Sequence, residues 1–161
     1  MSNFDALDHA KFMHEALNEA AMALQQEEIP IGAVVVHNGK IVGRGRAQHR
    51  KRHSEIAHAE LNALIQAEKY IQDHTHECIV YTTVEPCVMC LGAIVMSDID
   101  HVVFGVADKY IYPDQKLMVL PYVQRHIKNY LGGVLEMECR DLIAKHSHEL
   151  LDLLAGFATP K

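Results

Sequence analysis

Two short segments of this 161-residue chain hold the residue types that could do chemistry together: residues 58–60, His-Ala-Glu, and residues 86–90, Pro-Cys-Val-Met-Cys. They offer one imidazole, two thiols and one carboxylate. One histidine and two cysteines can be the three protein ligands of a catalytic zinc ion, which keeps a fourth position for water. A carboxylate beside that water could take its proton and pass it to a leaving amine. The two segments together therefore predict a catalytic metal centre.

The spacing of the two thiols predicts that both lie at the start of a helix over about 86–96. Pro86 suits the first helical position, because its missing N–H would have no partner there. Cys87 and Cys90 would then share one face of the first turn, where the helix dipole favours thiolate over thiol. The segment 57–64 predicts a second helix start. Its histidine and carboxylate can flank the same metal ion if the two helix N-termini converge.

Each half of this pattern has a simpler explanation when it stands alone. A C-x-x-C pair also occurs in redox pairs and in structural zinc sites, and H-x-E arises easily in a chain with 12 histidines. A structural all-cysteine site would also need Cys78 and Cys139, which have no metal-ligand neighbours. The ordered combination H-x-E and P-C-x-x-C is the signature of zinc deaminases that act on nucleobases. A carboxylate at residue 60 argues against a purely structural zinc protein, which needs no proton carrier.

Length and composition predict a single domain, 1–161, with a frayed tail at 156–161. Hydrophobic residues make up 49% and charged residues 22%, as in ordinary soluble proteins. The N-terminus has no signal-peptide pattern and no apolar run is long enough to span a membrane, so we expect a cytoplasmic protein without membrane contact. Four cysteines fit a reducing compartment. The net charge of −6 argues against a partner bound mainly through phosphates.

Hydrophobic periodicity and turn residues predict an α/β fold with a central sheet of about five strands. Asn-Gly at residues 38–39 predicts a tight hairpin, so the first two strands should be antiparallel. In chain order we expect a helix over 5–26, strands at 31–36 and 41–43, a helix over 57–69, a strand at 78–82, the cysteine helix, a strand at 101–106, a mixed segment over 109–126, a strand at 134–137 and a helix over 139–155.

The sequence resembles the cytidine deaminase-like superfamily over nearly its full length. It is most similar to the branch that contains tRNA-adenosine deaminases and guanine deaminases. The segments that carry the resemblance are 29–36, 57–60, 83–94 and 102–105. The resemblance implies a three-layer α/β/α sandwich with a mixed five-stranded sheet, and a homodimer or larger assembly.

The resemblance also implies one Zn²⁺ per chain, held by His58, Cys87 and Cys90. The implied reaction is hydrolytic. An activated water attacks an amidine carbon of the base, such as C6 of adenine or C2 of guanine. Glu60 protonates the ring nitrogen and then the amino group, and ammonia leaves.

Two segments depart from the family pattern and bear on the substrate. The family commonly places an asparagine about eleven residues before the zinc histidine, and here that position is Ala47, so a neighbour such as Gln48 or His49 could replace the contact. The loop 107–113 is bulkier and more aromatic than in tRNA-editing relatives, although Asp108 keeps an acid that they also tend to have. Tyr110, Tyr112 and Tyr122 could stack on a base or serve only in packing. The residues expected to contact substrate are Ala47, Gln48, Ala59, Glu85, Pro86, Asp108 and Tyr112.

These observations favour a deaminase of a free purine base or nucleoside, on the basis of the acidic balance and the rewritten loops. The first alternative is deamination of adenosine to inosine at the tRNA wobble position. The missing asparagine and the few basic residues near the C-terminus count against it. A cytidine or deoxycytidylate deaminase is a further alternative, because the pocket walls that choose the ring are not encoded in the motifs.

Overall fold

The computed structural model describes residues 4–112 and 120–157, and these form seven α-helices, five β-strands and one short 3-10 turn. In chain order they are the turn Phe4–Ala6, α1 His9–Gln25, β1 Gly32–His37, β2 Lys40–Arg46, α2 His49–Arg52, α3 Ala59–Asp73, β3 Cys78–Val84, α4 Val88–Met96, β4 His101–Val106, α5 Pro121–His126, β5 Asn129–Leu131, α6 Glu136–His146 and α7 His148–Leu154.

The strands form one mixed sheet in the order β2-β1-β3-β4-β5. β1 is antiparallel to both β2 and β3, whereas β3, β4 and β5 run parallel to one another. The hairpin between β1 and β2 turns at Asn38 and Gly39, which have φ angles of 47° and 72°, as the Asn-Gly pair predicts. The predicted α/β fold with a mixed five-stranded sheet is confirmed.

Two apolar cores lie on the two faces of the sheet, which gives the three layers. On β1, Ala33 and Val35 face the core shared with α3 and α4, and Val34 and Val36 face the core shared with α1 and α6. Alternate residues of one strand therefore support helices on opposite sides. None of the helices within the described residues is long and apolar enough to cross a membrane.

Gly45 on β2 lets the first turn of α3 lie directly against the sheet. A Cβ atom at this position would stand 2.0 Å from the carbonyl oxygen of Ala59, which is far inside van der Waals contact. This close approach fixes where the first turn of α3 lies along β2, and residue 58 immediately precedes that turn. A glycine in the strand thus helps to position the first predicted metal ligand.

Two expectations about the C-terminal third are wrong. The segment 134–137 is not a strand, because Leu135 adopts a φ of 51° and α6 begins at Glu136. The fifth strand is instead residues 129–131, which pair with β4. The helix expected over 139–155 is two helices, since Ser147 is extended and its side chain caps α7.

Other helix boundaries shift by a few residues. The cysteine helix begins at Val88, so Pro86 lies before it, and α3 extends to Asp73 rather than ending near 69. Residues 113–119 of the predicted mixed segment, and 158–161 of the predicted frayed tail, lie outside the described residues. The single domain over 1–161 stays a prediction.

Candidate active site

His58 and Cys87 occupy equivalent positions, because each is the N-cap residue of a helix. Both have extended backbones, with φ and ψ of −72° and 154° at His58 and −64° and 172° at Cys87. The two helix N-termini converge as the sequence predicts. His58 Nδ1 lies 3.6 Å from Cys87 Sγ and 3.5 Å from Cys90 Sγ. The three ligand atoms all lie within 4.8 Å of one another.

Each of the two neighbouring thiols shifts the pKa of the other. The hydrogen bond from Cys90 and the ring of His58 lower the pKa of Cys87 to about 4. The same contact with the Cys87 sulfur, together with burial, raises the pKa of Cys90. The hydrogen bond to Cys87 also raises the pKa of His58. Because the sulfurs titrate as a pair, a divalent cation would displace the remaining protons and hold both as thiolates.

Glu60 lies behind the ligands and is 4% exposed. The Thr82 hydroxyl donates to one carboxylate oxygen at 3.2 Å, and the Cys90 sulfur lies 3.5 Å from the other. Burial raises the pKa of Glu60, so the protonated form is more accessible than at the surface. A carboxyl group with this environment is suited to accept and release a proton.

This donor set fits zinc. One imidazole nitrogen and two thiol sulfurs from two helix starts would supply the three protein ligands that catalytic zinc takes, and such a zinc ion would activate water. Glu60 lies next to this donor set, with one carboxylate oxygen 3.5 Å from the Cys90 sulfur, and zinc does not need it as a ligand. The arrangement is that of a catalytic zinc site rather than a closed structural one.

The ligands open into a cavity of about 650 Å³ with mainly apolar walls. Such a cavity is large enough for a nucleobase and its sugar. Its walls come from the segment before β1, the first residue of α2 and the connections on either side of α2, the starts of α3 and α4, the end of β3, the loop after β4, and α7. The lining residues are Ile29, Ile31, Ala47, His49, Glu55, His58, Ala59, Glu60, Val84, Glu85, Cys87, Asp108, Tyr110, Ile111, Leu150, Leu153 and Leu154.

Four of the seven predicted substrate contacts line this cavity: Ala47, Ala59, Glu85 and Asp108. The other three do not. Gln48 lines a separate surface groove beside β2. Pro86 is buried beneath the site, and its carbonyl oxygen accepts a hydrogen bond of 2.7 Å from the Tyr112 hydroxyl. Tyr112 is 7% exposed, so its ring is a packing residue here.

Glu85 and Asp108 build the cavity wall through hydrogen bonds of their own. Glu85 accepts from the backbone N–H of Asp108 at 2.9 Å and from the Tyr130 hydroxyl at 3.0 Å. Asp108 accepts from the backbone N–H groups of Tyr110 and Ile111 at 3.1 and 3.0 Å. Burial raises the pKa of both carboxyl groups. These bonds tie the loop after β4 to the end of β3. Tyr122, the third candidate for stacking, lies away from the cavity and stacks on His126.

His49 is a residue of this cavity that the sequence suggested only as a possible substitute for the family asparagine. Its ring packs edge-on against the His58 ring, with 5.0 Å between the centroids. Its Nδ1 atom is buried without a hydrogen-bond partner among the described residues. Burial lowers the pKa of His49, which favours the neutral ring. A buried, unpaired nitrogen at the wall of a cavity is available to a ligand.

α2 carries His49, and Glu28 holds the start of this short helix in place. The Glu28 side chain is 1% exposed. Its two oxygens accept from the backbone N–H groups of Arg50 at 3.1 Å and Lys51 at 2.7 Å. Sequence reasoning missed this capping, because Glu28 is remote in sequence from α2 and stands in a polar run that resembles a solvated loop.

The fold and the site together define a zinc-dependent hydrolytic deaminase. Residues 7–106 match the family described as "Cytidine and deoxycytidylate deaminase zinc-binding region", and the chain belongs to this family. It is 38% identical over 142 residues to a tRNA-specific adenosine deaminase of Bacillus subtilis, with 86% of this chain and 88% of the relative covered. A tRNA-specific adenosine deaminase of Streptococcus pyogenes is 34% identical, with 82% and 85% covered.

Solved structures give the same family. A structure from work on A-to-I editing by tRNA:A34 deaminases superposes with a TM-score of 0.73 at 29% identity, and it covers 82% of this chain and 98% of that one. A guanine deaminase from Bacillus subtilis superposes with a TM-score of 0.56 at 33% identity, over 62% of this chain and 64% of that one.

Proposed function

We propose that this protein deaminates adenosine to inosine in tRNA. The observation that carries the proposal is the basic helix α2, His-Arg-Lys-Arg, whose first residue lines the cavity and whose next three side chains are exposed. The similarity to tRNA-specific adenosine deaminases over most of both chains supports the same substrate. The alternative stated from the sequence is therefore better supported than the free base or nucleoside first favoured.

Five residues share the chemistry of the proposed reaction. When held by His58, Cys87 and Cys90, zinc supplies the Lewis acidity that lets water lose a proton near neutral pH. Glu60 faces the ligand cluster with one oxygen, and Thr82 fixes the other. Glu60 would take one proton from water and deliver it to the ring nitrogen, and would then carry the proton of the added hydroxyl group to the amino group. Water adds, ammonia leaves, and adenosine becomes inosine.

The charge around the cavity mouth is better suited to RNA than the net charge of −6 suggests. The Arg50 side chain is 70% exposed; it donates to the Glu27 carbonyl oxygen at 3.2 Å and lies 3.5 Å from the Glu27 carboxylate, both at the surface. Lys51 and Arg52 are exposed on the same short helix. Across the cavity, Tyr110 is 44% exposed and could stack on a base. Net charge alone misses such a local cluster.

The direct test is deamination of an anticodon stem-loop with adenosine at the wobble position. We expect inosine from the zinc-loaded protein, and none from Glu60→Ala with its zinc retained. Free adenosine, adenine, guanine and cytidine are assayed in parallel for ammonia release. Absence of inosine from the zinc-loaded protein, with turnover of one of the small substrates, would replace the proposal with the small-molecule alternative.

A second experiment tests the role of α2. We expect the double variant Arg50→Gln, Lys51→Gln to bind the stem-loop more weakly. The slope of log affinity against log salt should fall by about 1.4 to 1.8, since each lost phosphate contact contributes roughly 0.7 to 0.9. Lys40→Gln is the control, because Lys40 is exposed in the hairpin turn at the far end of the sheet. Equal slopes in all three proteins would remove α2 from the RNA contact.

We also propose that the protein is a cytoplasmic homodimer. The support is a pair of exposed apolar side chains, one on α3 and one on α4, that line the same surface groove: Ile65 is 59% exposed and Met96 71%. Monomers rarely leave such side chains clustered in water. Light scattering should give twice the chain mass, and Met96→Glu should shift the protein toward the monomer. A wild-type monomer at all accessible concentrations would contradict the proposal.

A further inference from the structure

A second cluster of metal-ligand residues lies far from the catalytic centre. His37 ends β1, His74 follows the last residue of α3, and Glu77 precedes β3. One ligand atom from each lies within 4.8 Å of the others. β1 starts beside the active-site cavity and ends at His37, so the two clusters are separated by roughly 17 Å of extended strand.

The His37 ring is already oriented as a metal ligand would be. The residue is 5% exposed. Its Nε2 lies 2.9 Å from a Glu77 carboxylate oxygen, and its Nδ1 lies 2.8 Å from the Tyr70 hydroxyl. Metal-bound histidines usually use the second ring nitrogen in this way, because that bond fixes the tautomer and the ring plane. If Nδ1–H donates to Tyr70, Nε2 presents its lone pair beside the Glu77 carboxylate, and one cation could contact both atoms.

His74 brings a second imidazole to the same place. Its ring stacks on His37 with 4.4 Å between the centroids and 26° between the planes. The side chain of Glu77 is 46% exposed, so a cation could enter from solvent and keep one or more waters. Two imidazoles and one carboxylate are a donor set that zinc accepts. A His37 ring whose Nε2–H donates to Glu77 and whose Nδ1 accepts from the Tyr70 hydroxyl would give the same contacts without a cation, and the zinc titration distinguishes the two states.

We propose that His37, His74 and Glu77 bind a second Zn²⁺ ion, separate from the catalytic one. The ion would join the end of the β1–β2 hairpin, the C-terminal end of α3 and the start of β3. These three points lie at the end of the strands opposite the active site. The role is structural: a cation bound only by the folded chain raises the unfolding temperature and takes no part in deamination.

The test titrates Zn²⁺ into protein that already holds one zinc per chain. We expect the wild type to bind a second equivalent and the unfolding temperature to rise as it binds. In His74→Ala the second equivalent should bind at least tenfold more weakly, and the temperature rise should be lost. His146→Ala is the matched control, because His146 is an exposed histidine at the C-terminal end of another helix. It should behave as the wild type.

Two further measurements keep the test decisive. Glu77→Gln removes the half-exposed carboxylate without emptying a core position, so it covers the case in which His74→Ala fails to fold. Cobalt substitution separates the two ions, since only a site with thiolate ligands gives sulfur-to-metal charge-transfer absorption. The second equivalent should add none. Deamination should be unchanged in Glu77→Gln. The proposal would be overturned if the wild type saturates at one zinc per chain, or if Glu77→Gln and His146→Ala bind the second equivalent equally well.

Discussion

Replacing Glu28 with glutamine tests whether a buried cap on α2 supports both stability and substrate binding. Both Glu28 oxygens accept backbone N–H groups, at 3.1 Å from Arg50 and 2.7 Å from Lys51. A glutamine side chain keeps the shape but offers one acceptor, so its NH₂ group must face one of these donors. Loss of a charge-assisted hydrogen bond at a buried site costs about 2 kcal/mol in unfolding free energy. For a chain of this size that is roughly 4 to 8 °C in Tm.

The contribution of Glu28 to the unfolding free energy should change with pH in one direction. Burial opposes the charged form of Glu28, but the two backbone N–H groups outweigh it and lower the pKa below its ordinary value of 4.5. A folded-state pKa below the unfolded one gives stability that is present above the unfolded pKa and is lost as pH falls through the folded pKa. The difference in unfolding free energy between wild type and Glu28→Gln should therefore be full at pH 7 and shrink below about pH 4.5.

Denaturant unfolding at several pH values measures this difference directly. Glu27→Gln is the control, because it makes the same charge change at the adjacent residue, whose side chain is 81% exposed. Its effect should stay within about 0.5 kcal/mol. With the stem-loop substrate, Glu28→Gln should raise KM more than it lowers kcat, since α2 carries His49 but no zinc ligand. Equal stability of the two variants at pH 7, or a difference that grows on acidification, would refute the capping role.

Three other outcomes follow from the geometry. Glu60→Gln should lower kcat by about 10² to 10⁴ with zinc content unchanged, as rapid-quench kinetics and metal analysis would show; turnover within tenfold of wild type would contradict the proton-carrier role. Removal of zinc by a chelator should abolish deamination, and added zinc should restore it. Gly45→Ala should lower the unfolding free energy by at least about 1–3 kcal/mol, because its Cβ would stand 2.0 Å from the carbonyl oxygen of Ala59. Gly92→Ala is the control: outside the backbone of its own helix no atom of the described residues lies within 4 Å of the new Cβ, so the unfolding free energy should rise by about 0.5–1 kcal/mol. Thermal melts measure both.

The sequence predicts the central part of the fold well because local and tertiary preferences agree there. The Asn-Gly turn and the β-branched runs around it lead to the first two strands without ambiguity. The fifth strand shows the opposite case. It is three residues long and pairs with β4 alone. An apolar run after two glycines, 134–137, has more strand character by composition, but Leu135 leaves the extended region and Glu136 starts a helix.

The predicted helix start at Pro86 illustrates a different limit. Proline suits the first position of a helix, and the C-x-x-C spacing suits its first turn, so the two signals together place the start two residues too early. In the structure Cys87 is the N-cap, and its extended backbone turns the thiol toward His58, which is an N-cap as well. Because His58 precedes α3, its side chain does not follow the 100° per residue of an ideal helix, and it can lie on the same side as Glu60.

The elements that surround residues 58–60 and 86–90 come from distant parts of the chain, and no local sequence pattern predicts that they lie there. α7 contributes Leu150, Leu153 and Leu154 to the cavity, yet the sequence shows these leucines only as the apolar face of an amphipathic helix. His49 lies within a run of basic residues, and from the sequence alone this run could be either a loop that contacts the substrate or a solvated loop. Only the packing of Glu28 under α2 shows that this run is held beside the zinc ligands.

The sheet topology explains why reaction and substrate choice can be separated in this protein. β3 and β4 are parallel and end at the active-site edge, where antiparallel β1 begins and β2 ends. In open α/β sheets, ligands bind in the crevice outside the carboxyl ends of the parallel strands. The helices that follow β3 and precede β3 carry the proposed ligands, whereas α2, the loop after β4 and α7 only form walls. Variants of the ligands should therefore lower turnover of every substrate alike, and variants of the walls should change the ratio of kcat/KM between the stem-loop and free adenosine.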